Sequence, residues 1–96
     1  MYSVESYDAS DDPEDRFLVN HGQFASAEAA LTAARHVVEA NLVLSLSAGM
    51  SAEDAFQQWR QSGDVPRIVA SGGSAPVAFD PAAFAQERAK QLFKRV

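Results

Sequence analysis

Tyr2 and Val4 alternate with Ser3 and Glu5, and Ser6 and Tyr7 continue the same two-residue period. Alternation carried by aromatic and β-branched residues predicts a short strand with one buried face. Apolar residues return in Arg16-Phe17-Leu18-Val19, which predicts a second strand ending at His21-Gly22. Between the two, Asp8, Asp11, Asp12, Glu14 and Asp15 gather around Pro13. Like charges beside a proline predict a loop, so the strands are expected to form an antiparallel hairpin with a long acidic connection.

After Ser26 the period becomes helical. Ala27, Ala30, Leu31, Ala34, Val38, Leu42 and Ser45 recur at helical spacing, and Val37 and Leu44 widen the stripe. Ser26 is a good N-cap, and Glu28 sits in the first turn, where the helix dipole favours an anion. A helix over residues 27–46 is expected, with Gly49 supplying the left-handed residue that stops it. Ser51 caps a second helix, with Asp54 three residues on as in a capping box. Phe56 and Trp59 share one face of it and are expected in the core, and Gly63 ends it.

Asp64-Val65-Pro66 predicts a turn, and Arg67-Ile68-Val69-Ala70 a third strand. Ser71-Gly72-Gly73-Ser74 reads as a loop, and Val77-Ala78-Phe79 as an extended piece that makes a fourth strand only if it pairs. Asp80 followed by Pro81 is an N-cap with proline in the first turn, where its missing N–H leaves nothing unmade. Phe84, Ala85, Ala89, Leu92, Phe93 and Val96 line one side of the third helix, and Arg88, Lys90, Lys94 and Arg95 crowd its later turns. The expected order is β-β-α-α-β-(β)-α. This is an α+β fold in which a small, mostly antiparallel sheet of three strands, or four, is covered by three helices.

Length and charge narrow the function. The 96 residues make one domain, residues 1–96, with room for one modest core. Thirteen acids against eight bases leave a net charge of −5, so no basic excess replaces phosphate counterions. Direct nucleic-acid binding and an anionic membrane surface are therefore not expected. With no cysteine, disulfides, thiolate metal sites and cysteine nucleophiles drop out. No apolar run is long enough to span a bilayer, and the first residues show no secretory pattern, so the cytoplasm is the expected location.

Three blocks carry a resemblance. They are Phe24-Ala25-Ser26-Ala27-Glu28-Ala29-Ala30, then Gly49-Met50-Ser51-Ala52-Glu53-Asp54-Ala55-Phe56 running on through Trp59 to Gly63-Asp64-Val65-Pro66-Arg67-Ile68-Val69, then Phe79-Asp80-Pro81-Ala82-Ala83-Phe84-Ala85-Gln86-Glu87-Arg88. In that order they resemble a family of small bacterial proteins of unassigned function. The middle block is the most specific. The last departs from the family pattern, with Ala83 and Phe84 where the family has an aromatic pair. The resemblance implies a small sheet carrying helices, and no activity.

Candidate chemistry is sparse. The acidic loop fails as an EF-hand calcium loop: counting from Asp8, the sixth position is Pro13 rather than glycine and the twelfth is Val19 rather than glutamate. His36 and Glu39 stand three apart on one helix, but two ligands do not close a metal site. No Gly-x-Ser-x-Gly elbow is present, and Ser71-Gly72-Gly73-Ser74 lacks the lysine ending of a phosphate loop. Arg60, Arg67 and Arg88 would hold an anion only if the fold brought them together. No enzyme, cofactor or metal is expected.

The concentrated charge at Asp11, Asp12, Glu14 and Asp15 predicts a non-enzymatic protein-interaction module whose partner is another protein. The chain itself is expected as a monomer, or as a homodimer through a sheet edge. Two alternatives accompany this reading: a phage-type nucleic-acid mimic or inhibitor, and a small ligand-binding domain.

Overall fold

The computed structural model describes residues 1–94. Its elements are β1 (Tyr2–Asp8), β2 (Val19–Phe24), α1 (Ala27–Ser47), α2 (Ala52–Ser62), β3 (Asp64–Ala70) and α3 (Pro81–Phe93). The three strands form one sheet in the order β2-β1-β3, with both pairings antiparallel. This is the α+β architecture expected. The central strand is the first in the chain.

Alternation along β1 works as its pattern requires. Val4 and Ser6 are buried on the face that meets α1, while Ser3, Glu5 and Tyr7 point to the other side. On that other side Glu5 lies directly opposite Arg67, and their side chains form an ion pair at 2.9 Å.

The helices are stopped and started by the expected residues. Ser26, Ser51 and Asp80 each accept a hydrogen bond from the backbone N–H three residues on, all at 3.1 Å. Asp54 makes only that half of a capping box. Gly49, with φ +91°, follows α1 in the left-handed region.

Two clusters make the core, and α1 belongs to both. Val4, Ala30 and Ala34 bind the sheet to α1, with Tyr2, Phe24, Ile68 and Phe79 around them. Val38 and Leu42 meet Ala55, Phe56 and Trp59 of α2 and Ala85 and Ala89 of α3. The buried residues of α1 recur every four positions, and five of the buried apolar residues are alanines. Small side chains let the helices approach closely, so the core is thin and depends on a few large groups. Trp59 anchors it: the indole is 4% exposed, its ring stacks on Phe56 at 6.4 Å, and its Nε1–H donates to the Asp64 carbonyl at 3.0 Å. Arg88 Nε donates to Glu39 Oε1 at 2.9 Å and fixes α3 to α1.

Several expectations need correction. The second strand covers Val19–Phe24 and not Arg16-Phe17-Leu18-Val19, because pairing with β1 begins at Ser6 opposite Val19. His21-Gly22 lies within the strand. The register slips by one residue between Ser3 and Glu5, and Gly22 adopts φ +117° there, which makes a β-bulge. Asp64-Val65-Pro66 belongs to β3 and is not a turn. Pro66 is tolerated because β3 is an edge strand, where a missing N–H harms the ladder least. Val77-Ala78-Phe79 does not pair, so the sheet has three strands. Leu44 and Phe93, placed on apolar stripes by spacing, are 70% and 50% exposed. Arg95 and Val96 lie outside the described residues.

Candidate functional site

The loop between β1 and β2 is built by its own acids. Asp8 Oδ1 accepts from the Ser10 hydroxyl at 2.6 Å and from the Ser10 amide at 2.8 Å. Those two bonds, the hydroxyl first, hold the Asp8 carboxyl below its ordinary value. Asp12 Oδ1 repeats the device on the Glu14 amide at 3.0 Å. Side chains that imitate a backbone turn thus fold residues 8–15 without apolar packing. Asp12, Glu14 and Asp15 are exposed and Asp11 is half-buried. The ion pairs among the described residues are Glu5–Arg67 and Glu39–Arg88, so none of the four loop acids at Asp11, Asp12, Glu14 and Asp15 is paired with a cation.

The loop returns through an apolar run. Arg16 lays its guanidinium 3.9 Å from the centre of the Tyr7 ring, which pins the chain to the sheet. Phe17 beyond it is 76% exposed, Leu18 41% and Val19 46%. A phenyl ring so exposed beside unpaired carboxylates is the most solvent-exposed large hydrophobic group of the described chain. The apolar residues of Arg16-Phe17-Leu18-Val19 predict a strand there; the exposure of Phe17 follows from the later start of β2.

The two histidines meet at a second place. His21, Ala33, His36, Val37, Ala40 and Asp64 line an open hollow of about 400 Å³ between β2, α1 and the start of β3. His21 Nε2 is 2.7 Å from Ser6 Oγ, so hydroxyl and imidazole share a hydrogen bond. A serine–histidine pair beside an aspartate invites comparison with a catalytic triad. The geometry differs in two respects. Ser6 is only 2% exposed and does not line the hollow. The Asp64 carboxylate receives Asn41 Nδ2–H at 3.3 Å, and among the described residues no carboxylate hydrogen-bonds His21. The pair therefore satisfies a buried hydroxyl and fastens the bulge of β2 to β1. Its signal in the sequence is absent, since the two residues meet only through the register shift.

A neighbouring recess of about 320 Å³ is bordered by Asp8, Asn41, Leu44, Trp59 and Asp64. Asn41 dominates it, because Asn41 Oδ1 also accepts the Asp64 amide at 2.6 Å. The remaining candidates disperse. Glu39 is held by Arg88 and does not join His36, and among the described residues no three His, Asp or Glu side chains are placed to share a metal ion. Arg67 pairs with Glu5 and Arg60 lies 5.8 Å from the Phe56 ring, so the three arginines are engaged at three separate places. Among the described residues no helix is long and apolar enough to cross a membrane.

Fold and surface thus define a small α+β domain whose distinctive exposed feature is an acidic loop with an apolar return. Comparison of the chain with family models, with curated proteins and with solved structures returns no match.

Proposed function

We propose that this chain is a non-enzymatic protein-interaction module that engages its partner through residues 11–19. The observation that carries the reading is the juxtaposition of Phe17, 76% exposed, with four acids in the same loop that make no ion pair among the described residues. Exposed aromatic groups are the side chains that most often anchor a protein interface, and unpaired charge around an anchor steers encounter and fixes register. The partner's surface is basic, with an apolar pocket that takes the phenyl ring. The kinship with small bacterial proteins is part of the same proposal and rests on the block from Gly49 to Val69.

A nucleic-acid mimic needs charge spread in rows, whereas these acids concentrate in one loop. A small-ligand domain needs enclosure, whereas the His21 hollow is open.

The test is affinity capture from a cell extract with three baits: the native chain, Phe17→Ser, and Asp11/Asp12/Glu14/Asp15→Ser. A specific partner is retained by the native chain, lost from both variants, and released by raised salt. An identical set of captured proteins from all three baits rejects the loop as the binding surface.

A further inference from the structure

The recess at the root of the acidic loop points to a ligand of its own. Asp8 closes β1 and Asp64 opens β3, and the two stand opposite each other as the last pair of that ladder. Residues so paired have Cβ atoms about 4.5–5.5 Å apart, and like charges there repel. Neither carboxylate joins an ion pair among the described residues, and no Lys, Arg or His lines the recess. Each carboxylate has one oxygen engaged, Asp8 Oδ1 with Ser10 and Asp64 Oδ2 with Asn41. Asp8 Oδ2 and Asp64 Oδ1 accept no hydrogen bond among the described residues.

The surroundings select the kind of cation. The recess holds about 320 Å³ and is built by β1, α1, α2 and β3. Leu44, 70% exposed, and the edge of Trp59 give it apolar walls. Ser45, Gln58 and Ser62 add neutral oxygens. Gln58 Nε2 donates to Ser62 Oγ at 3.2 Å, which keeps Gln58 Oε1 available as an acceptor. A metal ion matches poorly. A hard cation such as calcium wants roughly six to eight oxygens close around it, and among the described residues no three His, Asp or Glu side chains are placed to share one. A guanidinium or ammonium on an aliphatic stem matches better. Its several N–H donors bridge two carboxylates and reach the neutral oxygens. Its methylenes lie along Leu44, as the stems of long cationic side chains lie along apolar surface.

We infer that this recess is a binding site for an alkyl cation, a guanidinium or primary ammonium seated between Asp8 and Asp64 with its stem on Leu44. Two sources supply such a group: an arginine or lysine side chain of a basic partner, or a free polyamine. The first rests on the proposed loop interface and deepens it, because Ala9 N–H donates to the Gly63 carbonyl at 2.9 Å and so joins the loop to the edge of the recess. Charge-held contacts at a surface are individually weak, so a single cation binds with a Kd of about 1 mM.

The experiment is a chemical-shift titration of the ¹⁵N-labelled full chain at low salt, with probes from about 0.1 to about 20 mM to span that Kd. Acetyl-Gly-Arg-Gly-amide and spermidine are each expected to move the Trp59 Nε1–H and the Gly63 and Asp64 amides along a saturating curve. The citrulline peptide, which has the shape of the arginine peptide without its charge, and calcium chloride are expected to leave them in place. Asp64→Asn keeps the main-chain bonds to Trp59 and Asn41, so the fold and the tryptophan emission are expected to persist while the arginine peptide binds about tenfold more weakly. Asp8→Asn is expected to weaken it likewise. Asp12/Glu14/Asp15→Ser is expected to change the affinity by less than about twofold, because those acids act only through screened solvent.

Tighter binding of the arginine peptide assigns the site to a protein side chain, and tighter binding of spermidine assigns it to a free polyamine; both support the site. The absence of a saturating shift at the recess overturns the inference. So do equal shifts from citrulline or calcium, an affinity unchanged in Asp64→Asn, or one that falls only in the Asp12/Glu14/Asp15→Ser variant. The two interfaces fail separately. A recess that binds the probe while all three capture baits behave alike rejects the loop interface alone, and a silent recess with capture intact rejects this site alone.

Discussion

Replacing Gly63 with alanine tests how rigidly the core is locked. Gly63 is buried at the end of α2, and its φ of −80° is one that alanine adopts freely. Backbone strain therefore contributes nothing, and the effect is steric. A Cβ at this position falls on Cδ1 of Trp59, closer than real Cβ atoms come, and stands 2.8 Å from the Trp59 carbonyl oxygen and 2.9 Å from Trp59 Cγ.

The indole has little room to retreat. It is 4% exposed, stacked on Phe56 and bonded through Nε1 to the Asp64 carbonyl. Overpacking of this kind costs about 1–3 kcal/mol. Displacing the ring also sacrifices a hydrogen bond worth about 1 kcal/mol. Together about 2–4 kcal/mol is lost, from a total of roughly 5–14 kcal/mol for a domain of this length. The midpoint of thermal unfolding is expected to fall by roughly 10–25 °C.

Trp59 is the only tryptophan, so its emission reports both urea unfolding and the ring's own displacement. The Gly63→Ala protein is expected to show a lowered urea midpoint and native emission shifted to the red. A loss below about 0.5 kcal/mol with unshifted emission would refute the view that Trp59 is held in place.

Two further changes probe the joints around the sheet. Asn41→Ala removes both bonds to Asp64 and is expected to lower stability by about 1–2 kcal/mol, with faster hydrogen exchange at the Asp64 amide; unchanged exchange would count against the joint. Ser10→Ala removes the hydroxyl that most lowers the Asp8 pKa, so that pKa is expected to move up towards its ordinary value in an NMR titration. The sign follows from linkage. A depressed folded-state pKa stabilises the protein above the unfolded value and ceases to do so as pH falls through the folded value, and the acid-side slope is therefore shallower in Ser10→Ala.

Local signals were legible wherever one residue settles the outcome. Ser26, Ser51 and Asp80 begin helices, and Gly49 and Gly63 follow them, because a cap acts within one turn. The burial of Phe56 and Trp59 followed from their spacing on one helix. The exposure of Asp12, Glu14 and Asp15 followed from charge alone. What spacing along the chain does not encode is pairing between distant strands. The start of β2 depends on which residue of β1 lies opposite Val19, and Arg16-Phe17-Leu18 has the composition of a strand without a partner. Pro66 looks like a turn until its strand is known to be an edge. The contact between Ser6 and His21 arises from the bulge, and the shared hollow of His21, His36 and Asp64 from the packing of α1 over the sheet.

The place of β1 in the middle of the sheet constrains how the molecule is made. Tyr2 must find Ala70, so β1, synthesised before β3, waits for that later segment before its second side is bonded. Until then the nascent protein has at most a two-stranded ribbon, which is marginal in water. Sheet completion is thus a late, long-range event, and stalled chains ending before β3 are expected to be sensitive to proteases, whereas chains extended beyond it are resistant.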